Sequence, residues 1–233
     1  MTTYKAIHGK TIQHLASDPD SAAYEGQIWF NTTTSDYKTI VKVAGTWASG
    51  TAMSTTRQQG ASAQIATTTA AQVAGGGGPG SLIGNNEQYN GSAWTEVADL
   101  NTAKFGPGGT GTQTAALSAG GYTTTWVTDS EEWDGSSWAE GNNINLARFE
   151  MTCAGTQTAG LIAGGEATPA STPVAVCESY NGTSWTEVND LNQARYGSVG
   201  GGTQTAALAI GGFIGGSATP SALTEEFNGT SWT

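Results

Sequence analysis

The residues able to do chemistry fall into two recurring sets. Glu87, Glu131, Glu178 and Glu225 occupy one register and Arg57, Lys104, Arg148 and Arg195 another, and these four are the only bases after residue 56. Carboxylates can act as general acids and bases, but a catalytic centre is one asymmetric constellation rather than four equivalent copies. The expected role is structural, each glutamate pairing with the base of its own unit or of the next.

The other candidates are sparse. His8 and His14 lie six residues apart, a spacing that suits neither helical nor strand pairing around a metal. Asp18, Asp20 and Glu25 lack the ligand spacing and mid-loop glycine of a calcium loop. The glycine run from Gly75 to Gly80 is followed by no Lys-Ser/Thr and opens no helix, so it is not a phosphate loop. Asn31, Asn90, Asn181 and Asn228 form glycosylation sequons, but three of them coincide with a turn signal that explains them. No serine or cysteine has a histidine partner within the repeated region. Catalytic residues, metal ligands and cofactors are therefore expected to be absent, and the chain is read as a non-enzyme.

The elements that position these residues are repeats. From Glu87 the chain reads EQYNGSAW, from Glu131 EEWDGSSW, from Glu178 ESYNGTSW and from Glu225 EEFNGTSW, closing on Trp94, Trp138, Trp185 and Trp232 at spacings of 44, 47 and 47 residues. Each base precedes its tryptophan by 34 to 37 residues. Between them lies GTQTAALSAGG, GTQTAGLIAGG or GTQTAALAIGG, degenerate in the first unit as ATTTAAQVAGGGG. Asn/Asp-Gly between aromatic-bearing runs is a hairpin signal, and a type I′ turn is expected at Gly91, Gly135, Gly182 and Gly229. Each unit is thus predicted to be a four-stranded antiparallel sheet, with the alanine-rich run as an inner strand. Cys153 and Cys177 should fall on the first and third strands of one unit, beyond disulfide range, as free thiols. The stretches 78–86, 122–130, 166–177 and 213–224 vary in length and chemistry, and any binding function is expected there.

Composition agrees with an all-β chain: 34 glycines, eight tryptophans and 12% charged residues in 233. The net charge of −11 is confined to the repeats, where fifteen carboxylates face four bases, while residues 1–56 are neutral. Such a surface repels phosphate backbones and anionic lipid, so neither nucleic acid nor membrane is an expected partner. No long apolar run or signal-peptide core is present, which points to synthesis in a cytoplasm.

A base, an apolar strand ending in Gly-Gly, an aromatic and then Trp resembles the kelch repeat, whose units are blades of a β-propeller. The Asn-Gly-Thr-Ser-Trp and Gly-Thr-Gln-Thr-Ala-Ala-Leu wording is more specifically similar to kelch-like repeats of phage virion proteins. The resemblance covers residues 50–233 and implies repeats of about 47 residues at about 50–97, 98–141, 142–188 and 189–233. Kelch propellers close with five to eight blades, so four visible units leave closure open, and a longer natural chain is the expectation.

Residues 24–49 read as two strands, Gln27 to Asn31 and Tyr37 to Val43, with a third around Trp47. Glu-Gly-Gln-Ile-Trp-Phe-Asn-Thr followed by Tyr-Lys and Gly-Thr-Trp is similar to a hairpin near the N-termini of phage tail-fibre proteins. Residues 1–20 look like an extended arm that orders on another protein, with Ile7, Ile12, Leu15, Trp29 and Phe30 as attachment residues. The resemblance implies a virion protein whose residues 1–49 attach to portal, tail or capsid. The blades would then meet host-surface glycan or protein through hydroxyl-rich loops and Trp126. A homo-oligomer, specifically a trimer, is implied on the same ground. An intracellular kelch-type interaction scaffold is the alternative.

Overall fold

The computed structural model describes residues 13–16, 28–39, 49–63, 65–78, 81–168, 172–215 and 219–233. Every regular element among them is a β-strand, so the fold is all-β. No helix among the described residues is long and apolar enough to cross a membrane. The chain divides into two compact units, Met1–Ser49 and Gly50–Thr233.

Among the described residues, the first unit holds one sheet. Ile28–Asn31 and Asp36–Thr39 form the expected hairpin, and Gln13–Leu15 adds to it in parallel, Gln13 opposite Trp29 and Leu15 opposite Asn31. The polar turn fastens this third strand: Thr32 donates its backbone N–H to the Leu15 carbonyl at 2.8 Å. Part of the predicted arm is thus an edge strand of the hairpin's own sheet. Ile7, Ile12 and the strand expected around Trp47 lie outside the described residues.

The second unit contains four equivalent antiparallel sheets. Three have four strands in sequence order: Ala61–Ser62, Ala71–Ala74, Asn86–Tyr89 and Trp94–Val97; Gly108–Thr112, Ala115–Ala119, Ser130–Trp133 and Trp138–Glu140; Thr152–Thr156, Ala159–Ala163, Cys177–Tyr180 and Trp185–Val188. The fourth has Val199–Thr203, Ala206–Ile210 and Thr224–Phe227, with Trp232 bridged to Phe227 at its edge. Cys153 and Cys177 stand on the first and third strands of the third sheet, buried and unpaired.

The sheets pack face to face, because alternation along a strand sends neighbouring side chains to opposite faces. In Ala159–Ala163, Ile162 joins Leu117, Ala119, Met151 and Tyr180 on one side. Leu161 and Ala163 join Ala207, Ala209 and Phe227 on the other. A third layer, with Ala74, Leu100, Ala116 and Trp133, fills the space between the first two sheets. The core is therefore three apolar layers between four sheets.

The order of strands sets how the sheets approach one another. The alanine-rich run is the second strand of its sheet, and the first is the glycine-threonine strand before it, which packs on the corresponding strands of neighbouring sheets. A Cβ on Gly109 would lie 2.7 Å from the Ser62 nitrogen, so this approach requires glycine. One expectation needs correction, that of the hairpins. Tyr89 pairs with Trp94 and Tyr180 with Trp185, leaving four-residue loops in which only the glycine has positive φ, 93° at Gly91 and 86° at Gly182. The type I′ turn is not formed, because the Asn or Asp side chain turns the backbone instead. Asn181 Oδ1 accepts the N–H of Thr183 at 3.0 Å and of Ser184 at 2.8 Å, and Asp134 does the same for Ser136 and Ser137 at 2.8 Å.

Candidate functional site

The recurring charges are brought together pairwise within each unit and away from solvent. Arg57 lies 2.7 Å from Glu87, Lys104 3.1 Å from Glu131, Arg148 3.2 Å from Glu178 and Arg195 2.5 Å from Glu225. Each glutamate also accepts the backbone N–H of the segment that enters its unit: Ser54 on Glu87, Asn101 on Glu131, Asn145 on Glu178 and Asn192 on Glu225, at 2.6 to 2.8 Å. In the first and last units the arginine further donates to two carbonyls, Gly75 and Asn85, or Gly211 and Leu223. Burial alone would raise the Glu87 carboxyl, but the N–H groups of Ser54 and Thr55 and the Arg57 guanidinium hold it below its ordinary 4.5. Burial lowers Arg148, against the attraction of Glu178. These clamps are sealed inside single units, so they position chain rather than meet a ligand.

The four closing tryptophans each face the aromatic of their own hairpin, with ring centroids 5.2, 5.5, 4.8 and 5.0 Å apart in chain order. Trp138, Trp185 and Trp232 are buried and Trp94 half-buried. They too are internal. In the first unit, Leu15 and Phe30 are half-buried, while Trp29 contributes backbone pairing to Gln13 and Lys38.

A concave site forms two residues beyond each base. Gln59, Gly106, Glu150 and Gly197 hold equivalent positions in the four units and all have left-handed φ, 52°, 61°, 54° and 60°. Their backbones link the units in series: Gly106 N–H donates to Gln59 O, Glu150 N–H to Gly106 O and Gly197 N–H to Glu150 O, each at 2.9 Å. Around this ladder opens a cavity of about 490 Å³ lined from all four units, including Gln59, Pro107, Glu150, Met151, Tyr196 and Phe213. The Gln59 amide donates to the Glu150 carboxylate across it, and Tyr196 and Phe213 rings lie 5.5 Å apart at its wall. Burial, with Glu166 nearby, raises the Glu150 carboxyl despite the Gln59 hydrogen bond. Burial, then the charges of Glu166 and Glu150, raises the Tyr196 hydroxyl.

Comparison with protein-family models and with curated proteins gives no match.

The variable stretches fold back beside this site. Gly77–Gly78 pairs with Ser81–Leu82, Phe213–Ile214 with Thr219–Pro220, and Arg148–Phe149 with Glu166–Ala167, which in turn pairs with Thr172–Pro173. Trp126 packs edge-on against Tyr122 and Phe149, at 5.7 and 6.1 Å between centroids, and is half-buried. No cluster of three or more metal-binding side chains occurs among the described residues. What the cavity offers is a carboxylate, an amide and an aromatic wall, a set suited to holding a neutral polyhydroxylated ligand by hydrogen bonds and ring contact. Sequence reasoning located the variable loops but missed the left-handed ladder. Its signal was the Gly106 and Gly197 pair at one register, obscured by Gln59 and Glu150 in the other two units.

Proposed function

We propose that the chain is a bacteriophage virion protein. Its residues 1–49 attach it to portal, tail or capsid, and its repeats are kelch-like β-propeller blades, displayed on a tail fibre or other appendage to recognise the host surface. The observation that carries this reading is the convergence of one loop from every unit on a single cavity, while the recurring charges are spent on internal clamps. A scaffold of repeated sheets that places variable hairpins and an aromatic-walled cavity together is suited to recognition rather than turnover. The acidic surface favours an uncharged sugar over an anionic ligand. The sequence resemblance of residues 24–49 to tail-fibre hairpins supports the attachment role.

Immunogold electron microscopy of the source particles, with antibody to residues 50–233, tests it. Label on appendages is the expected result. Purified particles that lack the protein would sink the virion reading in favour of the intracellular scaffold.

A further inference from the structure

The internal repeats show what covers each sheet. On the face turned to the following unit, Leu117 and Leu161 are each 2% exposed and Ala119 and Ala163 each 1%. The same positions in the fourth sheet are Leu208, 38% exposed, and Ile210, 44% exposed, with Val199 beside them at 70%. The opposite face of that strand is normal, since Ala207 and Ala209 are buried against the third unit.

A polar device marks the same face. The glutamine of each Gly-Thr-Gln-Thr turn reaches back to two carbonyls of the preceding unit: Gln113 Nε2 to Ala71 and Tyr89 at 3.1 and 2.9 Å, Gln157 Nε2 to Ala116 and Trp133 at 3.1 and 2.7 Å, and Gln204 Nε2 to Gly160 and Tyr180 at 3.1 and 2.6 Å. The next pair in this series is the carbonyls of Ala207 and Phe227. Both residues line a groove of about 290 Å³, together with Gly201, Ala206, Leu208 and Glu226.

We propose that this open face is a docking surface for a fifth repeat of the Gly-Thr-Gln-Thr class. Its glutamine amide donates to the Ala207 and Phe227 carbonyls, and its sheet covers Val199, Leu208 and Ile210. A second copy of this chain fits less well. Its Gln113, Gln157 and Gln204 are already engaged, and its first unit carries Thr68 at the glutamine position, with one hydroxyl proton where two amide protons are needed.

The test appends residues 140–186 after Thr233 of the full chain, so that Trp232-Thr233 leads into the added repeat as Trp138-Ala139 does in place. A second chain carries residues 187–233 there instead, and each is also made with the added glutamine replaced by alanine. Amide hydrogen exchange is read at residues 206–210. Slowing by about tenfold or more in either appended chain, mostly lost in its alanine version, is the expected result. Unchanged exchange in both chains overturns the proposal, whether or not the added repeats acquire protection of their own. Equal slowing with alanine also overturns it. Concentration-dependent self-association of the unmodified chain that Leu208→Lys abolishes assigns the face to a second copy and overturns it as well.

Discussion

Glu87 holds Arg57 and, with the same carboxylate, the chain that leads into it: one oxygen lies 2.7 Å from the guanidinium, and the N–H groups of Ser54 and Thr55 donate to the two oxygens at 2.7 and 3.0 Å. The pair is almost wholly buried, so its worth lies in what breaks when one member is removed. Glu87→Leu leaves the Arg57 charge uncompensated and should cost about 3–5 kcal/mol in urea unfolding. Adding Arg57→Met removes that charge, but the two N–H groups remain without an acceptor. The double variant should recover only part, staying about 1–3 kcal/mol below the parent. Full recovery would mean that the backbone clamp contributes nothing.

The same carboxylate predicts an acid dependence. Its folded pKa is lowered below 4.5, so its stabilisation is complete above the unfolded value and is lost as pH falls through the folded one. The stability gap between the parent and Glu87→Gln should therefore be constant from pH 7 to about 5 and narrow below about pH 4. A gap that widens on acidification would contradict this assignment.

The hairpin loops separate two geometries by mutation. In a type I′ turn both central residues have positive φ, and Asn→Gly would be harmless. Here Asn181 accepts two backbone N–H groups and only Gly182 has positive φ. Asn181→Gly should lower the thermal midpoint, and Gly182→Ala should cost about 1–2 kcal/mol for the left-handed conformation. Thermal unfolding followed by circular dichroism checks both, and an unperturbed Asn181→Gly would restore the two-residue turn.

How much of this was legible follows from which residues carry it. The pairing of Arg195 with Glu225 could be anticipated because both recur in fixed register in all four units. The tight packing of the strand Val199–Thr203 could not, since a Val-Gly-Gly-Gly-Thr run does not show how closely its neighbour comes: a Cβ on Gly200 would lie 3.0 Å from the Cys153 carbonyl oxygen. Nor could the cavity, whose lining is set by backbone conformation at Gln59 and Glu150 rather than by a motif. Local signals report local geometry, whereas the site depends on how four units meet.

The thiols of Cys153 and Cys177 test the packing between those units. Burial pushes them up to about 12 and about 11, and the reactive form of cysteine is the thiolate. Cys153 belongs to the layer between the second and third sheets and Cys177 to that between the third and fourth. Neither should react measurably with an aromatic disulfide reagent at pH 8 in the folded protein, and both should react at once in concentrated urea. Intermediate urea adds information. If the sheets separate from one end, the thiol in the layer that opens first should become reactive at lower denaturant than the other, whereas a single cooperative transition exposes both together. Fast native reaction of either would show that its layer is not closed.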